Sequence, residues 1–183
     1  MTVQDPLHLF DSEDHGLNAQ TARDYAKRYL AAEPGSQDRI EMAAALTVLL
    51  DDPGRPVRKA IARYLAASPH APGHIIRSLA QDVDEIAVLV LKQSPILTEI
   101  ELVDLLAEGS PQAQCAIAAR PNLTAAVSAA LCEVADERAC LTLLRNSSAM
   151  VLKSSLLRIA ERFESFPDVC DELLKLQDLP IPT

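Results

Sequence analysis

His70 and His74 stand four residues apart in SPHAPGH. On an unbroken helix that spacing puts both imidazoles on one face, where they could hold a zinc ion. Pro72 and Gly73 lie between them, so the segment reads as a turn entering a helix. No cysteine or third histidine is near in sequence, and no metal site is expected from the pair. Of the four cysteines, Cys115 and Cys140 occupy nearly equivalent places in the first helices of successive units, Cys132 lies in the helix between, and Cys170 is the fourth. Equivalent points on stacked helices sit about 8–10 Å apart, too far for a disulfide, whose α-carbons lie within about 7 Å. Thiols packed as small hydrophobes are expected, with a three-cysteine metal or cluster site as the alternative.

The arginines form the next constellation. Residues 54–81 hold Arg55, Arg58, Lys59, Arg63 and Arg77 and no acid, whereas residues 82–109 hold seven acids and one base, Lys92. Arginine suits bidentate anion binding, so the basic stretch predicts a surface for an acidic or phosphorylated protein segment. The competing reading is ion pairing between neighbouring units, where each exposed pair contributes only about 0–1 kcal/mol. A third candidate is the helix TAAVSAALCEVAD (124–136), apolar on nearly all faces until Glu133. Such a helix is buried all round or covered by a partner, which makes Ala126, Ala129 and Ala130 a candidate docking surface for an apolar helix.

Other chemistry finds no foothold. The acids between Glu99 and Glu108 read as the wet face of an amphipathic helix, and GxSxG, P-loop, GxGxxG and HExxH motifs are absent. No aromatic residue stands between Tyr64 and Phe163, which argues against base or flat-cofactor stacking there. The net charge of −9 repels phosphate backbones and anionic membrane surfaces. No catalytic residue, cofactor, nucleic acid or membrane insertion is expected. The start MTVQDPLHLFDSEDHG lacks the basic and apolar regions of a signal peptide, so a cytoplasmic setting is expected.

These residues must be positioned by a repeat. Pro69, Pro95 and Pro121 follow one another at 26-residue intervals, and a further 26 reaches Ser147 in a turn-forming Asn-Ser-Ser. Eight before this anchor stand Ile61, Ala87, Ala113 and Ala139; four before it, Leu65, Leu91, Ile117 and Leu143; two after it, Ala71, Leu97, Leu123 and Ala149; ten after it, Leu79, Leu105, Leu131 and Leu157. Apolar residues at these offsets predict a helix, a proline turn and a second helix with an N-cap at Thr98 or Thr124. RYLAASP (63–69) nearly duplicates RYLAAEP (28–34), which aligns ARDYAKRYLAAEPG with VRKAIARYLAASPH and matches Arg23 to Arg58 and Leu30 to Leu65. One helical pair cannot cover its own apolar face, and stacked neighbours can.

DDPGRPVRKAIARYLAASP (51–69) resembles a HEAT-like unit, with Asp-Pro, Val-Arg, apolar residues at helical spacing and a proline turn. SPILTEIELVDLLAEGSPQAQCAIAARPNLTAAV (94–127) looks like a bacterial branch of that superfamily, which includes leucine-rich-repeat variants, and is similar in cadence to a bacterial domain family of unknown function. The Val-Arg pair itself stands only at Val57-Arg58; its counterparts are Val83-Asp84, Gly109-Ser110 and Ala135-Asp136. The resemblance covers about residues 51–162 and implies a protein-binding scaffold or adaptor without catalytic residues.

The expected fold is all-α, a right-handed α-α superhelix or solenoid of about five HEAT-like pairs. Residues 1–18 are expected to be a mobile arm containing LHLF (7–10), and 19–176 one domain. Its units lie near 19–52, 54–81, 82–109, 110–135 and 136–163, with a closing helix at 166–176 and a tail at 177–183. The expected function is protein binding through Arg55, Arg58, Lys59, Arg63 and Arg77 and the Ala126, Ala129 and Ala130 surface. The alternatives are a self-associating, homo-oligomeric regulatory domain in bacterial signalling and a HEAT-like enzyme.

Overall fold

The computed structural model describes residues 15–177, which form eleven α-helices and no strand. Residues 1–14 of the expected arm, LHLF among them, and residues 178–183 of the expected tail lie outside the described residues. Residues 15–18 belong to the first helix. The chain divides into two compact units, Met1–Leu97 and Thr98–Thr183, where the sequence reading treats 19–176 as one domain.

The first unit holds α1 (His15–Ala31), α2 (Gln37–Leu49), α3 (Arg55–Leu65), α4 (Gly73–Ala80) and α5 (Asp84–Leu91). Proline and glycine set the breaks: Gly35 turns the chain at φ +81°, Pro56 stands in the first turn of α3, and Pro72 precedes α4. Ser36 caps α2, its side chain accepting from the Arg39 N–H. Helix α3 is central, with α1 packed along one side and α5 along another, and both α2 and α4 touch it. Its residues Val57, Ile61 and Leu65, one helical turn apart, are fully buried, as are Leu46, Ile75, Ile76, Leu79 and Ile86.

The second unit holds α6 (Glu99–Glu108), α7 (Pro111–Ala118), α8 (Ala125–Val134), α9 (Glu137–Leu144), α10 (Lys153–Arg162) and α11 (Pro167–Gln177). Alternate helices pack in two rows: α6 on α8 on α10, and α7 on α9 on α11. The caps repeat with the sequence. Thr98 and Thr124 accept from Glu101 and Val127 N–H groups, and Ser110 and Asp136 from Ala113 and Ala139. Thr98 and Glu101 complete a capping box. Gly109 ends α6 at φ −75°, a backbone open to any residue. Its glycine is needed for space, because an added Cβ would sit 2.4 Å from the Leu105 carbonyl oxygen.

The repeat registers hold unevenly. All residues eight and four before the anchor are buried, from Ile61 and Leu65 to Ala139 and Leu143. The register ten after it fails at the end: Leu131 is fully buried but Leu157 is 58% exposed. Helix α10 starts at Lys153, 28 residues after α8 starts at Ala125 (153 less 125). The two added residues move the core position to Ile159, which is fully buried. The matched pair Leu30 and Leu65 also diverges, 39% against 0% exposed. Helix α3 has neighbours on both sides, whereas α1 packs on α2 and α3 only, among the substantial contacts of the described residues.

Long side chains tie the helices through backbone groups. In the first unit Asn18 donates to the buried Asp52 carboxylate (2.9 Å), whose other oxygen accepts from Gly54 N–H (2.6 Å). The hydroxyl of Tyr29 and the guanidinium of Arg39 both donate to the His70 carbonyl, at 2.8 and 2.9 Å. In the second unit Gln114 donates to the Leu106 carbonyl and accepts from Asp136 N–H. Asn146 donates to the carbonyls of Ala118 and Arg120. Several of these ties satisfy backbone groups at helix ends, such as the Leu106 and Ala118 carbonyls.

Candidate functional site

Helices α1 and α3 of the first unit form a shallow groove, lined by Arg23, Pro56, Lys59, Ala60, Arg63 and Tyr64, of about 520 Å³. Arg55, Lys59 and Arg63 follow at four-residue steps and so share one face of α3. Ala60 is buried at the floor, Tyr64 is half-buried, and Arg23 and Arg63 are exposed. Arg23 donates to the Gln20 side-chain oxygen at 3.2 Å, and the Lys27 ammonium lies 5.5 Å from the Tyr64 ring centre. Lys59 pairs with Glu85 at the start of α5. That lysine is the strongest influence holding the exposed Glu85 carboxyl below its ordinary range.

Arg58 points elsewhere. One helical step from Lys59 rotates its side chain by about 100°, toward the turns before α3 and α5. Its guanidinium donates to both Asp82 carboxylate oxygens and, at 2.8 Å, to the Asp52 carbonyl. Burial pushes the Asp82 carboxyl up, but the Arg58 and Val83 hydrogen bonds outweigh it and hold the group below its ordinary value. The pairing of neighbouring units, weighed above as the competing reading of the basic stretch, accounts for Arg58 and partly for Lys59. Arg77 belongs to α4 and is not among the groove's lining residues; its guanidinium folds back against Gly73. The structure therefore gathers Lys59 and Arg63 of the expected set into the groove. It adds Arg23, with Lys27 beside them on the Tyr64 ring, which the sequence reading passed over. Their signal was the four-residue spacing of Arg23 and Lys27 on α1.

The alanine-rich helix α8 lies in the second unit. Ala126 is exposed and Ala129 and Ala130 are half-exposed. Ala129 and Ala130 line a shallow depression of about 310 Å³ with Cys132, Glu133, Ser154 and Arg158. The depression is closed at one side by the Arg158–Glu133 ion pair at 2.9 Å, which links α10 to α8. The opposite face of α8, with Val127, Ser128 and Leu131, is buried, and the Ser128 hydroxyl has no hydrogen-bond partner among the described residues.

All four cysteines are free thiols. Burial pushes Cys132 up to about 11 and Cys140 up to about 12, and it raises Cys115 as well. Such groups stay protonated at neutral pH, as packed hydrophobes do. Of the His70 and His74 pair, His70 contributes its backbone carbonyl, and the His74 Nε2 lies 2.8 Å from the Thr47 hydroxyl. Among the described residues no three metal-ligating side chains converge, and no helix is long and apolar enough to cross a membrane.

A protein family described as "Uncharacterised protein conserved in bacteria (DUF2336)" matches residues 86–183. The chain belongs to this family. The matched span begins inside α5 and takes in the whole second unit, while the groove residues 23–64 precede it. No curated protein and no solved structure matches the chain.

Proposed function

We propose that this DUF2336 member is a non-catalytic protein-interaction scaffold or adaptor. In this reading its helices form a right-handed α-α superhelix of about five HEAT-like pairs and work in the cytoplasm. The observation that carries the reading is the packing of alternate helices in the second unit: α6 on α8 on α10 and α7 on α9 on α11. Caps at Thr98 and Thr124 and at Ser110 and Asp136 recur at matching places along these rows. Units that contact mainly their neighbours leave long outer faces, which such repeats use to bind other proteins. The half-exposed Ala129 and Ala130 and the cationic side of α3 are two such faces.

The test is photo-crosslinking in the source bacterium, with a photoreactive residue placed in turn at Ala126, Arg63 and the exposed Gln81. A discrete heterologous adduct from Ala126 or Arg63, absent from Gln81, is expected. Adducts only between copies of the chain, or none, would overturn the adaptor reading. Small-angle scattering of an elongated particle would agree with the superhelix, and a compact sphere would oppose it.

A second reading, the self-associating regulatory domain, is favoured by exposed apolar side chains in the second unit. Leu152, Leu157, Phe166 and Leu174 are each at least 40% exposed, apolar surface that a second copy could cover. A monomer by light scattering at micromolar concentration would remove it.

A further inference from the structure

We infer that the α1–α3 groove is a docking site for an acidic segment of a partner protein, a conclusion that rests on the protein-binding reading and names its chemistry. The lining contains Arg23, Lys59 and Arg63 and no carboxylate. Helix α3 has four basic residues and no acid along RPVRKAIARYL. Only one of these, Arg58, is committed to a half-buried ion pair facing away from the groove, with its side chain 18% exposed. Lys59 is answered by Glu85, whose own side chain is 53% exposed and can be displaced. Arg23 on α1 and Arg63 on α3 line the groove together with Tyr64, Pro56 and Ala60.

That arrangement fits one kind of occupant. Carboxylates on the incoming segment meet the two guanidiniums, whose planar forks accept carboxylate geometry. An apolar side chain rests on the tyrosine ring and the Pro56–Ala60 floor. The Lys27 ammonium over Tyr64 supplies a further positive charge at the same end of the groove. The chain as a whole is strongly acidic: three cationic side chains line this groove, Lys59 paired with Glu85, against a net charge of −9 overall. Field lines from such a local patch steer acidic partners toward it and away from the remaining surface.

The experiment is fluorescence anisotropy on the full chain. The probe is a fluorescein-labelled helical peptide with glutamate at every fourth position and leucine between, beside its glutamine counterpart. The glutamate peptide is expected to bind, more weakly as salt rises, and the glutamine peptide not to bind. The Arg23→Glu/Arg63→Glu double variant, shown by circular dichroism to stay helical, should weaken binding roughly tenfold or more. Arg77→Glu changes charge outside the groove and should leave binding within about twofold. Equal loss in Arg77→Glu would mean general charge attraction, and absent binding would mean no such site; either overturns the inference. Retention on phosphatidylglycerol vesicles without peptide binding would assign the groove to a membrane surface and overturn it as well. Heterologous crosslinks from Ala126 would persist in all these cases if only the groove assignment fails, which separates this test from that of the protein-binding reading.

Discussion

Arg58 and Asp82 lie 24 residues apart in the chain and meet through two parallel hydrogen bonds, Nε to Oδ2 at 2.6 Å and Nη2 to Oδ1 at 3.1 Å. The same guanidinium reaches the Asp52 carbonyl, so one side chain pins the turn before α3 to the turn before α5. The arginine of the Val-Arg pair thus holds neighbouring helices in register, while the groove's cationic lining falls to Lys59, itself paired with Glu85, and to Arg63 and Arg23.

Replacing Arg58 by alanine strands a carboxylate whose side chain is only 12% exposed. Arg58→Ala is expected to lower unfolding free energy by about 1–3 kcal/mol. Arg63→Ala, on the open side of the helix, should cost no more than about 0.5 kcal/mol. Urea unfolding followed by circular dichroism measures both. A double-mutant cycle with Asp82→Ala should return a favourable coupling; a coupling near zero would show that the pair contributes nothing.

The same pair sets a pH dependence. The Asp82 folded value is depressed from an ordinary value of 3.8, so the unfolded chain takes up the proton first as pH falls. The stability it contributes is therefore complete above the ordinary aspartate value and lost as pH drops through it toward the folded one. The gap in stability between wild type and Arg58→Ala should hold from neutral pH down to about pH 5 and narrow below about pH 4. A gap that narrowed near neutrality would point to another group.

The duplicated RYLAA strings offer a matched comparison. Leu65 is fully buried and Leu30 is 39% exposed. Leu65→Ala should cost about 2–5 kcal/mol, and Leu30→Ala less than about 1 kcal/mol, both read from chemical unfolding midpoints. Equal losses would mean that α1 has a neighbour on its outer side.

The shifted register of α10 makes a parallel case. Ile159→Ala removes a fully buried side chain and is expected to cost about 2–5 kcal/mol. Leu157→Ala, at the strict 26-residue place, trims an exposed one and should change stability by less than about 1 kcal/mol. The reverse order would restore the unbroken period.

Thiol labelling tests the second unit's core. At mildly alkaline pH, Cys132 and Cys140, pushed to about 11 and 12, should alkylate more than about a hundredfold slower than an ordinary cysteine. The half-exposed Cys170 and Cys115 should label first, and all four at similar rates in denaturant. Peptide mass spectrometry identifies the order, and early modification of Cys140 would contradict its burial.

The repeat was readable in the chain because packing on both sides of a helix restricts residue type. Ile61, Leu65, Ile117 and Leu143 recur at their offsets because each meets neighbours that exclude water. Turn chemistry was readable too, since the prolines, Thr98 and Thr124 act through their own backbone neighbours. The family match covers residues 86–183.

What the chain alone determined was therefore local: helices, their ends, and which side of most of them is apolar. The tertiary structure decided which of several cations are clamped. Arg55, Arg58, Lys59 and Arg63 are all cations in the sequence, and the acids across the gap, Asp82 for Arg58 and Glu85 for Lys59, separate the clamped ones from a candidate ligand contact. It also decided that Leu30 and Leu65, identical in context over five residues, differ in exposure, and that two added residues pass the core position from Leu157 to Ile159. The physical reason is one and the same. Burial and ion pairing depend on what lies across the gap from a side chain, and that neighbour is supplied by residues 24 or more positions away.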